Sequence, residues 1–290
     1  SKSAVAQMSE AMRLDEVRGP IESPAYWYGR DLQAEDCWIE TLSSVETDEV
    51  QRAVEQVHSR DVSMLEMRRE DFPLPTLGKR LHGLARKLDR GRGFWLLRGL
   101  PVEALGERSA AFAYWGIGLH LGQPVSQNAR GHLLGHVTDE GVEFRKHSGA
   151  RGYQTRLQLP YHTDSSDVVG LLCLQPAKSG GLSSVASTTT TYNEVLKRRP
   201  DLAHLWFETW HYDQRDEQQP GDAPFYKTRL AVLDDEYLAV RYVRPFLDSA
   251  ERHDGVPPHT PQQIEFLDLV DEIANEPGIA LQMDFRPGDI

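Results

Sequence analysis

The sequence predicts an α+β fold, mainly β with flanking helices, and three observations lead there. Leucines at helical spacing mark the first part of the chain, and short apolar runs broken by Gly, Pro and Asp mark the rest. No Gly-rich phosphate loop of the G-x-G-x-x-G or G-x-x-x-x-G-K-[ST] type occurs, so nucleotide-dependent chemistry has no support. The texture changes near residue 120, dividing a helical part (about 1–120) from a β-rich part (about 121–290) within one predicted domain. Helices first and strands afterwards favour an antiparallel sandwich or jelly roll over an alternating parallel sheet.

Each element has its own justification. In "TLGKRLHGLARKLDRG", Leu77, Leu81, Leu84 and Leu88 share one helix face, and Gly91 stops the helix. "GFWLLRGLP" is a short apolar strand bounded by Gly93 and Gly99-Leu100-Pro101, and "LGERSAAFAYWGIGLHLG" is a helix running into Gly122. Beyond it, "GHLLGHV", "VVGLLCLQ" and "LSSVAS" read as strands. "FYKTRLAVLDDEYLAVRYV" reads as a hairpin turning at Asp234-Asp235. In "HTPQQIEFLDLVDEIANEPG", Thr260 caps a helix, Pro261 suits its first turn and Gln263 completes a capping box. "IALQMDFRPGDI" alternates Ile279, Leu281, Met283 and Phe285 on one face, the pattern of a half-buried strand. Trp206, Phe207 and Trp210 are expected in the core.

Composition narrows the partners. Acidic residues outnumber basic ones by 44 to 32, for a formal net charge of -12, so no basic face for nucleic acid or anionic membrane is expected. The two cysteines, Cys37 and Cys173, lie far apart and read as buried thiols in a reducing compartment. No apolar stretch is long enough to span a bilayer, and "SKSAVAQMSEAMRLDE" lacks the order of a signal peptide. A cytoplasmic protein is expected.

Chemistry concentrates in "LPYHTDSSDVVGLLCLQPAKSGG". In an extended chain residues i and i+2 share a side, so His162 and Asp164 present an imidazole and a carboxylate together while Thr163 faces away. That is the local half of the two-histidine, one-carboxylate triad that holds non-haem Fe(II) with positions left open. The plainer reading is a turn with an exposed His-Thr-Asp before a core strand. After the apolar run, Gly180-Gly181 makes a turn and Ser183 offers a hydroxyl on the next strand.

This arrangement resembles the taurine dioxygenase-like (TauD/TfdA) branch of the Fe(II)/2-oxoglutarate-dependent oxygenases, where H-x-D precedes a strand and a Gly-Gly-x-Thr/Ser turn. "GFWLLRGLP", "LGQPVSQN" and "FRPGDI" match further segments, from about Trp27 onward. The resemblance implies a double-stranded β-helix core of jelly-roll, cupin-like type. It implies that His162 and Asp164 ligate Fe(II) and that Ser183 hydrogen-bonds a carboxylate of the cosubstrate 2-oxoglutarate. With O2 as oxidant, a small organic substrate would be hydroxylated, desaturated or cyclised, with succinate and CO2 released. The metal-bound carboxylate of Asp164 argues against a halogenase. In the family the segment matching "FRPGDI" leads to the distal iron-binding histidine and then to the arginine for 2-oxoglutarate, so both are expected beyond Ile290.

Tyr161 and Ser165 flank the pair, and Gln127-Asn128 lie in the segment expected to cover it; these are the substrate-facing candidates. "VRYVR" adds Tyr242 and Arg244 on one strand face and Arg241 on the other, with an acidic substrate or an ordinary salt bridge as the arginines' partner. His211, on an expected strand, and His253 and His259, in a Pro/Gly-rich loop, read as structural or exposed. Two other classes stay open: a cupin-like metal hydrolase or isomerase, and a non-catalytic small-molecule-binding relative.

Overall fold

The computed structural model describes residue 17 and residues 19–125, 133–137, 159–178 and 181–290. In chain order the elements are α1 (Gly29–Leu32), β1 (Ile39–Thr41), α2 (Ser44–Ser59), α3 (Leu77–Arg90), β2 (Leu96–Arg98), α4 (Val102–Leu119) and β3 (Ser183–Val185). They continue with α5 (Thr188–Arg198), β4 (Thr209–Asp213), β5 (Phe225–Arg229), β6 (Ala231–Asp234), β7 (Tyr237–Val240), α6 (Arg244–Ser249), α7 (Pro261–Asn275) and β8 (Leu281–Met283). The chain forms two compact units. One holds Trp27–Val125, Val168–Ser187 and Ala280–Ile290, and the other holds the described residues of Ser1–Tyr26, Ser126–Asp167 and Thr188–Ile279.

In the first unit, Ser43 and Glu46 close a capping box at the start of α2. The α2 residue Glu49 then caps the next helix from outside. Its buried carboxylate accepts from the Thr76 N–H (2.9 and 3.0 Å) and the Leu77 N–H (3.0 Å), at the N-terminus of α3. Leu77, Leu81 and Leu84 turn inward, as their spacing predicts. Burial alone would raise the Glu49 carboxyl, but the Leu77 and Thr76 hydrogen bonds outweigh it and hold it below the ordinary range. This stabilisation is therefore present above the unfolded carboxyl's pKa and fades as pH falls through the folded one. Glu49→Ala should cost about 1.5–3 kcal/mol in denaturant unfolding at neutral pH. The difference from the parent should shrink in acid.

β1 and β2 pair in parallel, with Ile39 opposite Leu96. The far edge of β2 is covered by the chain's last residues, because Leu97 and Ile290 exchange backbone hydrogen bonds at 2.9 Å in both directions. On the other side of that segment, the Cys173 N–H donates to the Asp289 carbonyl (2.9 Å) and the Gly288 N–H to the Cys173 carbonyl (2.8 Å). "VVGLLCLQ" forms no regular strand: Cys173 pairs with the Gly288–Asp289 backbone, while Val169 is 53% exposed. The described part of "GHLLGHV" carries no strand either. β3 and β8 pair antiparallel, and the Gln33 side-chain amide bonds both backbone groups of Gln282. Trp27, Leu32, Trp38, Leu96, Leu281 and Met283 form the core against these elements.

The second unit is built on two antiparallel pairs, β4 with β5 and β6 with β7. The long hairpin expected from sequence is split: Phe225–Arg229 pairs with β4, and the β6–β7 turn lies at Asp235-Glu236, with Asp235 at φ 52. α7 starts with the capping box of Thr260 and Gln263. Trp206 and Trp210 pack on its Phe266, at 5.0 and 6.0 Å between ring centres. α5 starts in a run of four threonines, residues that disfavour helices in isolation, and its Thr189–Val195 stretch is wholly buried. Packing decides that segment, not propensity. Among the described residues no helix is long and apolar enough to cross a membrane.

Candidate metal centre

The His-Thr-Asp segment belongs to the second unit, where the chain beyond β7 holds its middle residue. The Thr163 N–H donates to the Tyr242 carbonyl (2.8 Å), and the Tyr242 N–H donates back to Thr163 Oγ1 (2.9 Å). His162 and Asp164, on either side, are exposed. The His162 ring places Nδ1 2.8 Å from the Pro160 carbonyl oxygen. A carbonyl can only accept, so Nδ1 is the donor, and in the neutral ring Nε2 then carries the lone pair. A metal-ligating imidazole has this arrangement, with one nitrogen donating to a fixed oxygen and the other facing the ion. The donor set thus fits Fe(II) at two positions. Among the described residues no three His, Cys, Asp or Glu side chains gather as a complete ligand set.

The remaining candidates fall in several places. Tyr161 is half-buried and Ser165 exposed beside the pair, while Gln127 and Asn128 lie outside the described residues. Ser183 belongs to the first unit, where it opens β3, half-buried and opposite Met283, after a Gly181 at φ 74. "VRYVR" is not a continuous strand. β7 ends at Val240 and Arg244 opens α6, because Pro245 suits a first helical turn and has no N–H for a ladder. The two-face assignment of Tyr242, Arg244 and Arg241 on a strand is corrected accordingly.

Tyr242 is instead buried, its hydroxyl 2.8 Å from Asp271 Oδ1 and 3.2 Å from the Leu267 carbonyl. Burial and the Asp271 charge push its phenol far up, so it remains a donor. Arg244 bonds Asp248 (2.9 Å) and both Asp268 and Asp271 (3.0 Å). Arg241 donates from Nε to the Tyr226 hydroxyl (2.8 Å) and lies over the Tyr212 and Tyr226 rings at 5.2 and 5.5 Å.

His253, His259 and His211 make contacts within the fold. His253 bonds Asp213 (2.9 Å), whose buried carboxylate also takes Arg252 at 2.9 and 3.1 Å. Burial alone would raise Asp213, but Arg252 and His253 hold it far below the usual carboxylate range. His259 stacks edge-on against Trp210 (5.6 Å), and His211 lies on β4 against Phe225 (5.5 Å). What sequence reasoning missed is the Thr163–Tyr242 exchange, which joins residues 79 positions apart.

Residues 58–290 match the model of the taurine catabolism dioxygenase TauD, TfdA family. The chain belongs to this family. It is a non-haem Fe(II)- and 2-oxoglutarate-dependent dioxygenase. Among its relatives is the FR-33289 synthase of Streptomyces rubellomurinus, 30% identical over 275 residues that cover 94% of this chain and 81% of the relative. The taurine hydroxylase-like protein SAT17 of Stachybotrys chartarum is 29% identical over 280 aligned positions, covering 94% and 71%. A solved asparagine oxygenase, in complex with Fe(II), 2S,3S-3-hydroxyasparagine and succinate, superposes with a TM-score of 0.62 at 18% identity, over 87% of this chain and 83% of that one. A second asparagine oxygenase structure gives 0.56 at 17% identity, over 87% and 82%. This TauD/TfdA chain shares their mixed fold of helices and strands.

Proposed function

We propose that this dioxygenase binds Fe(II) through His162 Nε2 and the Asp164 carboxylate and hydroxylates a small organic substrate. The observation that supports the assignment is the His162 Nδ1 bond to the Pro160 carbonyl, which leaves Nε2 free to face an ion. When bound, the metal couples oxidative decarboxylation of 2-oxoglutarate by O2 to oxidation of the substrate, releasing succinate and CO2. Thr163 holds the segment to Tyr242, and the ligand side chains are left to the open side. In the family a second histidine and an arginine for 2-oxoglutarate complete such a site.

Ser183 is proposed to donate its hydroxyl to a 2-oxoglutarate carboxylate; its place at the head of β3, after the Gly181 turn, supports this. Ser183→Ala should then weaken 2-oxoglutarate binding by about 1.5–3 kcal/mol, read by titration of the Fe(II)-loaded enzyme. An unchanged affinity would leave Ser183 as a turn residue. Tyr161, Ser165, Gln127 and Asn128 remain the proposed substrate-facing set. Arg241 and Arg244 are proposed for it only if they exchange the Tyr226 and aspartate partners that they now hold.

We read residues 1–290 as one oxygenase domain with a double-stranded β-helix core. The lateral pairing of Gly288–Ile290 between β2 and Cys173, and of β3 with β8, supports it. Two free thiols suit a cytoplasmic enzyme, although neither is buried as expected: Cys37 is exposed and Cys173 half-buried. The test is succinate formation from 2-oxoglutarate with Fe(II) and O2 across a panel of amines and amino acids, using protein expressed from its natural reading frame. Fe(II)-dependent succinate is expected. No 2-oxoglutarate consumption with any candidate would overturn the reading.

A further inference from the structure

The middle residue of the His-Thr-Asp segment carries a role of its own. Thr163 satisfies both backbone groups of Tyr242, donating its N–H to the carbonyl (2.8 Å) and accepting the Tyr242 N–H on its hydroxyl oxygen (2.9 Å). In a regular ladder the second bond would go to a backbone carbonyl. Here the side chain takes it, so the direction of the residue 163 side chain is fixed together with its backbone. In an extended chain the neighbours of a side chain point to the opposite face. Thr163 is half-buried while His162 and Asp164 on either side of it are exposed, so the neighbours of the committed hydroxyl lie on the open side.

Tyr242 is itself held from behind. Its hydroxyl donates to Asp271 Oδ1 (2.8 Å) on α7, and Asp271 Oδ2 accepts from Arg244 Nη1 (3.0 Å). Arg244 is braced in turn by Asp248 and Asp268. The chain of contacts runs from α7 through Tyr242 to Thr163, all within one compact unit. We propose that Thr163 is a positioning residue, whose hydroxyl, seated on the anchored Tyr242 backbone, sets the direction of the two iron ligands beside it. This inference rests on the assignment of His162 and Asp164 as ligands.

The hydroxyl is the testable group. Thr163→Val keeps the branched shape and removes the acceptor, whereas Thr163→Ser keeps the acceptor and removes a methyl group. Anaerobic Fe(II) titration of the parent, both variants, His162→Ala and Asp164→Ala gives the answer. Loss of a group that orients a ligand typically costs 10–100-fold in metal affinity, so Thr163→Val should bind Fe(II) about 10–100-fold more weakly. Thr163→Ser should restore most of it. A role in folding alone would lower thermal stability without moving the affinity of the folded protein.

If His162→Ala and Asp164→Ala lose Fe(II) while Thr163→Val binds like the parent, or if Thr163→Ser is as weak as Thr163→Val, the positioning role is overturned and the ligand assignment stands. If His162→Ala and Asp164→Ala bind like the parent, the ligand assignment falls and this inference with it. Hydrogen exchange of the Tyr242 amide in the parent needs no variant. Slow exchange supports the Thr163 bond, and exchange at the rate of an unfolded peptide overturns it.

Discussion

Replacing His162 or Asp164 by alanine should reduce Fe(II)-dependent consumption of 2-oxoglutarate by several orders of magnitude while leaving the protein folded. Both side chains are exposed, and the hydrogen bond from His162 Nδ1 to the Pro160 carbonyl is local. Truncation therefore empties no core. As the proposed ligands they matter to the ion instead: a facial site holds it with only three protein groups, and losing one leaves the metal weakly bound at the concentrations of an assay. Steady-state succinate release, with circular dichroism as the check on folding, separates the two effects. Equal activity in parent and both variants would contradict the assignment.

The second large effect is on stability. Asp289, whose side chain is 0% exposed, accepts a two-pronged bond from Arg98 Nε and Nη2, both at 2.9 Å, and a third bond from the Arg286 N–H at 2.9 Å. Its backbone carbonyl accepts from Cys173, and the next residue exchanges bonds with Leu97 on β2. One side chain thus pins the turn that seats three chain segments side by side. Asp289→Ala leaves the Arg98 guanidinium without its carboxylate in a mostly covered place, and removing one partner of a buried pair costs about 3–5 kcal/mol. Denaturant unfolding should show a lowered midpoint of that size. A change below about 0.5 kcal/mol would show that the turn is held by its backbone alone. Gly288 offers no alternative residue there, at φ 88 with the Leu100 carbonyl 2.0 Å from where a Cβ would stand.

What could be read from the sequence was local. The Thr260–Gln263 capping box spans three residues, and the α3 leucines repeat within two turns, so both elements stand where their spacing puts them. The His162–Asp164 pair was proposed on the same local grounds, from an H-x-D spacing, and both side chains are exposed in the structure. α5 was not legible, because Thr188–Thr191 argue locally against a helix and only burial of Thr189–Val195 reverses the balance. Arg244 was misplaced onto a strand because the hydrophobic pattern of "VRYVR" runs on past Val240, while Pro245 ends the ladder. The Thr163–Tyr242 clasp and the Glu49 cap of α3 link residues 79 and 27 positions apart in the chain. Nothing in the local pattern of one sequence announces such pairs.

The most direct measurement of the central claim is anomalous scattering at the iron edge from crystals of the Fe(II)-loaded enzyme grown without oxygen. The account predicts one strong peak within bonding distance of His162 Nε2 and an Asp164 carboxylate oxygen, with the Nδ1 bond to the Pro160 carbonyl retained. Iron bound through other residues, or through His162 Nδ1 with that bond broken, would contradict it.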